Sequence, residues 1–307
     1  MRVAAIDIGS NSTRLLLADV EDGEIAELSR RSIVTRLADR VDETGVLGEE
    51  ACERVYAAIG EYRDEFTAAG AQRVRGVATS AVREAANGAD LQQEIARRFG
   101  VEIDVIGGDR EAELTFIGAG TAAPVGAGGR GVVIDIGGGS TEFIVGDDGA
   151  LSFHVSTKIG AVRQSERHLH DDPPSEAQLV ELTGAVTSII AESVPAEFRA
   201  GVTHGVAVAG TPTVLASVDQ QLEVFDPWKV HGYAITREAC ARMLKQLAAL
   251  PLSERGNVTG LHPDRAPTIV AGAAILLASI DAFGLGAIEV SEHDILYGLA
   301  LDIAARG

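Results

Sequence analysis

The chain has 307 residues, 46% of them hydrophobic and 23% charged, with 35 glycines; this fits a soluble globular enzyme of two domains and excludes a disordered or fibrous chain. Its formal net charge is −19, with 26 Lys and Arg against 45 Asp and Glu, which opposes binding to nucleic acid or to an anionic membrane. Only two cysteines, Cys52 and Cys240, are present and they lie far apart, so neither a disulfide framework nor a metal cluster is expected.

The N-terminus opens directly on a strand-like run, Val3–Ile6, without the pattern of a secretory signal. The longest apolar stretches, such as Ile269–Ile280, fall short of a bilayer span, so a cytoplasmic protein with no membrane or nucleic-acid partner is expected. The segment beginning at Ala4, AAIDIGSNSTRLLLADVEDG, returns from Val132 as VVIDIGGGSTEFIVGDDG. Asp7, Gly9, Ser12 and Thr13 thereby align with Asp135, Gly137, Ser140 and Thr141 at an offset of 128 residues. Each copy predicts an apolar strand ending on Asp, a Gly/Ser turn and a second apolar strand, which is a β-hairpin with a loop at its tip. Further along, Gly76-Val77-Ala78 matches Gly205-Val206-Ala207 at an offset of 129 residues.

Between the strands the apolar period lengthens. Cys52, Val55, Tyr56, Ile59, Tyr62 and Phe66 keep helical spacing up to Gly70, a C-cap candidate. Asp109 is an N-cap candidate that would set Glu111 and Glu113 in the first turn of a helix. Ser175 and Gln178 form a capping box ahead of Leu179, Leu182, Val186 and Ile190. His168 and His170 precede the polar run Asp171–Pro174 with no third ligand nearby in sequence, so a metal site there is not expected. Gly210-Thr211-Pro212-Thr213 reads as a strand-to-helix turn with Pro212 in the first helical position, and His231-Gly232 as a surface loop. Each half is thus hairpin, strand, helix, strand, helix.

Glycines and small hydroxyl residues in a tight turn let backbone N–H groups approach an anion, and two such turns facing each other would clasp a phosphate chain. Asp7 and Asp135 would repel phosphate directly. Either they hold a divalent cation, for which hard oxygen ligands suit Mg²⁺, or they brace their own turns.

Five segments occur in order: DIGSNSTRLLL, VATSAVREAAN, DREAELTFIGA, VVIDIGGGSTEF and VAGTPTVLA. In them the chain resembles the exopolyphosphatases and guanosine pentaphosphate phosphatases, a branch of the actin and sugar-kinase superfamily, over nearly its whole length. The resemblance implies an α/β fold of two duplicated ribonuclease-H-like (actin-like) domains with an interdomain cleft. It also implies Mg²⁺ as cofactor and release of terminal orthophosphate from inorganic polyphosphate.

Glu111, in Glu111-Ala112-Glu113-Leu114, then corresponds to the residue that activates the attacking water; an acid in a first helical turn would otherwise only meet the helix dipole. Ser10, Asn11, Ser12, Gly137, Gly138, Gly139, Ser140 and Thr141 correspond to phosphate-binding loops, Asp7 and Asp135 to the metal site, and Arg83 to an arginine that contacts phosphate. Lys158, Arg163 and the Gly210-Thr211 turn are additional phosphate-binding candidates, and the basic residues among these would supply the local positive charge that the acidic chain otherwise lacks.

The expected domains are 1–129 and 130–307, with a final helix at about 294–305 returning to the first. The chain stops short of the additional helical domains of longer exopolyphosphatases, and Asp294-Ile295-Leu296-Tyr297-Gly298 departs from their Leu-Arg-Glu-Gly pattern. Short-chain polyphosphate is the resulting expectation, and the resemblance implies a homodimer. Guanosine pentaphosphate hydrolysis, phosphate transfer between polyphosphate and ADP or ATP, and non-enzymatic sensing of phosphate chains stand as alternatives.

Overall fold

The strand β1 (Arg2–Ile8) is the keel of the first half of the molecule, because its sequence RVAAIDI is apolar on both faces. Ala4, Ile6 and Ile8 pack on one side with Val55, Ile59 and Ile95; Val3 and Ala5 pack on the other with Leu114, Leu296 and Leu299. A strand covered on both faces shows no polar alternation, which is why this run was legible as a core strand.

The computed structural model describes residues 1–121, 125–126 and 128–306. Contacts divide the chain into two units, Met1–Thr121 with His293–Gly307, and Ala122–Glu292. In the first, β1 is joined by β2 (Ser12–Glu21), β3 (Glu24–Val34), β4 (Arg73–Ala78) and β5 (Ile103–Val105) in the order β3-β2-β1-β4-β5. β2 is antiparallel to both β1 and β3, while β1, β4 and β5 are mutually parallel. That order with a reversed second strand is ribonuclease-H-like. The helix Glu49–Ala68 covers one face, and its fully buried Tyr62 donates to the Thr13 carbonyl at 2.8 Å, pinning the β1–β2 hairpin just past its loop.

The second unit repeats the plan with β6 (Arg130–Ile136), β7 (Thr141–Asp147), β8 (Ala150–Thr157), β9 (Val202–Val208), β10 (Ala234–Thr236) and β11 (Ala287–Val290). Its order is β10-β11-β9-β6-β7-β8. Without β10, an antiparallel addition on the β11 edge, the two sheets have the same topology.

The structure corrects the sequence reading at several points. Each half carries a third antiparallel strand, β3 or β8, that hydropathy did not reveal. Both are edge strands, and β3 displays Glu24, Glu27 and Arg31, so its apolar signal is diluted by residues facing water. The matched Gly76 and Gly205 segments lie on equivalent strands but out of step: Gly76 pairs with Ile6, whereas Gly205 pairs with Val132 beside a register irregularity at Arg130 and Gly131. Spatial equivalence sets Val77, opposite Asp7, against Val208, opposite Asp135, and therefore Thr79-Ser80 against Gly210-Thr211.

The helix Gly108–Ala119 is capped by Gly107 rather than Asp109, since Gly107 is the extended residue whose carbonyl accepts from Glu111 N at 3.0 Å. Pro212 is the third rather than the first residue of the helix Gly210–Asp219. The capping box of Ser175 and Gln178 is formed, and Gly70 follows the capping residue Ala69 in the left-handed region at φ 71°. Among the described residues, no helix is long and apolar enough to cross a membrane.

Candidate active site

The two hairpin loops have one geometry. In the first, Gly9 N donates to Ser12 O at 3.0 Å; in the second, Gly137 N donates to Ser140 O at 3.0 Å. Two further carbonyls of the first loop and three of the second are held from behind by the segment that follows each third strand. Ser10 O accepts from Ala38 N at 2.8 Å, and Asn11 O from Thr35 N at 3.0 Å and Arg36 N at 2.9 Å. Gly137 O accepts from Ala161 N at 2.9 Å, Gly138 O from Val162 N at 2.9 Å and Arg163 N at 3.2 Å, and Gly139 O from Arg163 Nε at 2.8 Å.

With the carbonyls drawn one way, the amides of Ser10, Asn11, Gly138 and Gly139 have no acceptor among the described residues. Successive unpaired N–H groups of this kind make an anion cradle. The second loop depends on Gly160 in particular, where a Cβ would stand 2.2 Å from Gly138 O and 2.4 Å from Gly139 C.

The hydroxyl residues of the loops divide in role. Ser10 Oγ shares a buried hydrogen bond with Ser80 Oγ at 2.9 Å, linking the first loop to the end of β4. Thr141 is fully buried and gives its hydroxyl to the Ile159 carbonyl, so it braces the second loop instead of facing a ligand. Arg163 likewise is buried and gives Nε to the loop carbonyl, whereas Lys158 is exposed just past β8. Asn11, Ser12 and Ser140 are buried in the loops themselves.

Asp7 and Asp135 occupy matching positions but face different neighbours. Opposite Asp7 on β2 stands Arg14, whose Nε and Nη2 donate to Asp7 Oδ2 at 2.9 and 2.6 Å, while its Nη1 holds Asp294. Asp7 Oδ1 is buried and has no hydrogen-bond partner among the described residues. Burial raises the Asp7 carboxyl above the usual carboxylate range; the Arg14 charge and hydrogen bonds act against that rise, and the Asp294 charge adds to it. Burial also works to raise Asp294, but the charges of Arg14 and Arg30, the Leu296 N–H and the Arg14 hydrogen bond outweigh it and hold that carboxyl below its ordinary value.

Opposite Asp135 stands not an arginine but Glu142, only 1% exposed, which accepts from Ser156 Oγ at 2.6 Å. Two neighbouring buried carboxylates offer the hard oxygen donors that a small divalent cation takes. Among the described residues no cluster of three or more His, Cys, Asp or Glu forms a metal-binding group, so a cation here would keep water or substrate oxygens in its shell.

Glu111 lies in the first turn of the helix Gly108–Ala119, 6% exposed. Arg83, at the end of the short helix Ser80–Glu84, donates Nη1 to Glu111 Oε2 at 3.2 Å and to the Ile106 carbonyl at 2.7 Å. Its Nε and Nη2 have no protein partner among the described residues, so the fork keeps unused donors. Glu113, by contrast, is exposed and pairs with Arg110 at 2.6 Å. Asp7, Ser80, Arg83 and Glu111 thus come from the segments at the C-terminal ends of β1, β4 and β5, where parallel α/β sheets bind ligands.

The corresponding turn of the second unit, after β9, is strained. Ala209 has φ 73° and ψ −173°, a region nearly restricted to glycine, and Gly210 follows with a Cβ position only 2.8 Å from the Arg265 guanidinium. Thr211 is buried against Gly272. Sequence reasoning missed Arg14, Glu142, Arg265 and Asp294. The repeat offset that aligned Asp7 with Asp135 also aligns Arg14 with Glu142 and would have revealed both; Asp294 carries the signature of an N-cap before an apolar run. Nothing in the local sequence marks Arg265.

A model of the Ppx/GppA phosphatase family matches residues 16–306. The chain belongs to this family. It is a phosphoanhydride hydrolase by that membership. Exopolyphosphatase 2 of Mycobacterium tuberculosis is 35% identical over 321 aligned positions, covering 99% of this chain and 98% of that protein. Exopolyphosphatase 1 of Mycobacterium leprae is 30% identical, covering 98% of this chain and 89% of that protein. Among solved structures, the Aquifex aeolicus Ppx/GppA family member superimposes with TM-score 0.83 at 29% identity, covering 100% of this chain and 98% of that one. An exopolyphosphatase-like protein superimposes with TM-score 0.92 at 32% identity, covering 99% and 98%. Family membership agrees with the paired ribonuclease-H-like sheets and with the order of the five sequence segments.

Proposed function

We propose that this enzyme removes the terminal phosphate of inorganic polyphosphate by attack of a water molecule activated by Glu111. The observation that carries the proposal is the pair of duplicated loops whose carbonyls are held from behind while their amides lack acceptors, together with a buried carboxylate joined to an arginine that keeps free donors. The names of the curated relatives at 30–35% identity support polyphosphate as the substrate.

In this reading the loop amides and the remaining N–H groups of Arg83 bind the phosphate oxygens. Their task is to orient the chain and offset its charge, since phosphoryl transfer needs positioning and neutralisation more than covalent help. Glu111 accepts a proton from the water as its oxygen bonds to the terminal phosphorus. The bridging oxygen leaves with the rest of the chain, giving orthophosphate and a polymer one unit shorter. Arg265 beside Gly210 adds positive charge at the third turn.

Asp7, with its unpartnered Oδ1, offers a hard oxygen in the first unit. The donor pair Asp135 and Glu142 fits a divalent cation, since both are buried hard-oxygen carboxylates on facing strand positions, and Mg²⁺ is our assignment. Bound there, the cation would neutralise phosphate charge. A preference for short chains belongs to the same proposal.

The test is phosphate release from polyphosphates of graded length and from guanosine pentaphosphate, with Mg²⁺ present, beside an assay for ATP formation from ADP. Release from polyphosphate, fastest for short chains, is expected. No release at any length, or ATP formation that depends on ADP, would replace this reading with one of the alternatives.

A further inference from the structure

The C-terminal helix Ile295–Ala305 and the helix bearing Glu111 touch backbone to backbone at two glycines. A Cβ on Gly118 would lie 1.9 Å from the Asp294 carbonyl oxygen, and one on Gly298 would lie 1.9 Å from the Leu114 carbonyl oxygen. Reciprocal contacts of this closeness fix the sliding and separation of the two helices, because no flexible side chain lies between them. Asp294 caps the C-terminal helix by accepting from Leu296 N at 3.0 Å, and the same carboxylate is held by Arg14 Nη1. The other two nitrogens of Arg14 grip Asp7 Oδ2. One guanidinium therefore joins the strand leading into the first anion loop to the cap of the helix against which the Glu111 helix is set.

Asp7 and Asp294 are each 3% exposed and the Arg14 side chain 17%, so the bridge is largely shielded from water. The hairpin does not itself require an arginine at this place: the second copy builds the same hairpin with Glu142 opposite Asp135. What distinguishes the first copy is that its unit carries Glu111.

We infer that Arg14 is a positioning residue for the hydrolysis, fixing Asp7 and, through Asp294, the placement of Glu111 relative to the first anion loop. The inference rests on the assignment of Glu111 as base. A base displaced by about 1 Å from its working position costs roughly 100-fold in rate, so a bridge that sets helix placement acts on turnover without touching substrate.

Three variants test it, each followed by steady-state kinetics on polyphosphate and by thermal unfolding. Arg14→Met removes charge and fork, Arg14→Lys keeps the charge but not the fork, and Asp294→Asn keeps the cap and the volume. The expected result is a kcat lower by about 100-fold for Arg14→Met and about 10-fold for the other two, with KM within about 3-fold of the parent. Arg14→Lys and Asp294→Asn are expected to unfold near the parent temperature, so they report even where Arg14→Met fails to fold. A folded Arg14→Lys or Asp294→Asn enzyme with parental kcat, or a loss confined to KM, overturns the inference. Glu111→Gln is assayed in parallel: full activity there overturns the base assignment and this inference together, whereas an inactive Glu111→Gln beside a normal Arg14→Lys overturns this inference alone.

Discussion

Arg83 Nη1 stands 3.2 Å from Oε2 of Glu111 and donates to the Ile106 carbonyl at 2.7 Å, so one nitrogen secures the arginine to the end of β5 and to the carboxylate together. In the proposed reading the rest of the fork binds substrate. Arg83→Met is expected to lower kcat/KM for polyphosphate by about 100-fold or more, the scale seen when one transition-state donor is removed. Arg83→Lys should recover part of the loss, because a single ammonium restores charge without the planar fork. Steady-state kinetics beside a thermal unfolding curve checks this: an arginine that served the fold alone would lower the unfolding temperature and leave kcat/KM of the folded fraction unchanged.

Gly160 supports the second loop by having no side chain. Gly160→Ala would place a methyl 2.2 Å from the Gly138 carbonyl oxygen and push the loop out of shape. We expect KM for polyphosphate to rise about 10-fold, the loss of roughly 1.4 kcal/mol of binding. Gly184→Ala is the control: Gly184 lies in the helix Glu176–Ser193 with nothing within 4 Å of its Cβ position. That change should stabilise the protein by about 1 kcal/mol in urea unfolding and leave KM alone.

Ala209 carries a backbone conformation that costs about 1–3 kcal/mol for a residue with a Cβ. Ala209→Gly removes the steric part of that cost, while the added freedom of the unfolded chain returns roughly 0.5–1 kcal/mol of it. The net expectation is a more stable protein by about 1 kcal/mol, read from the urea midpoint. A decrease in stability would show that the turn is not strained.

Burial pushes the Cys240 thiol up to about 12, and burial likewise raises the half-buried Cys52. The thiolate is the reactive form, so Cys240 should be inert in the folded protein at pH 8. Titration with a chromogenic disulfide is expected to count at most one thiol, slowly, in the native protein and two in denaturant. Fast modification of two thiols without denaturant would contradict the packing around the helix Arg237–Ala248.

The strand keels and both loops were legible because their requirements are local. A doubly covered strand must be apolar throughout, and a loop that presents amides to an anion must be built of small residues; both demands are written in consecutive positions from Val3 to Ser12 and from Val132 to Ser140. The edge strands β3 and β8 were not legible, since one face meets water and their composition resembles that of a loop. The cap of the Glu111 helix was misplaced by two residues for a related reason: Asp109 has the side chain of a cap, but Gly107 has the backbone.

Taken alone, the pattern of residues determined that the chain is a duplicated α/β protein with two Gly/Ser loops after buried strands carrying Asp near their ends, because backbone sterics and hydrophobic burial leave periodic and repeated patterns. The hydrolase reading came with the family resemblance. Only the tertiary structure decided which charge meets which. Arg14 reaches Asp294 across 280 residues, Arg83 reaches Glu111 across 28, and Arg265 lies against Gly210. Ion pairing and the capping of loop carbonyls need proximity and direction alone, so they impose no spacing along the chain, and only the folded arrangement of strands and helices selects the partners.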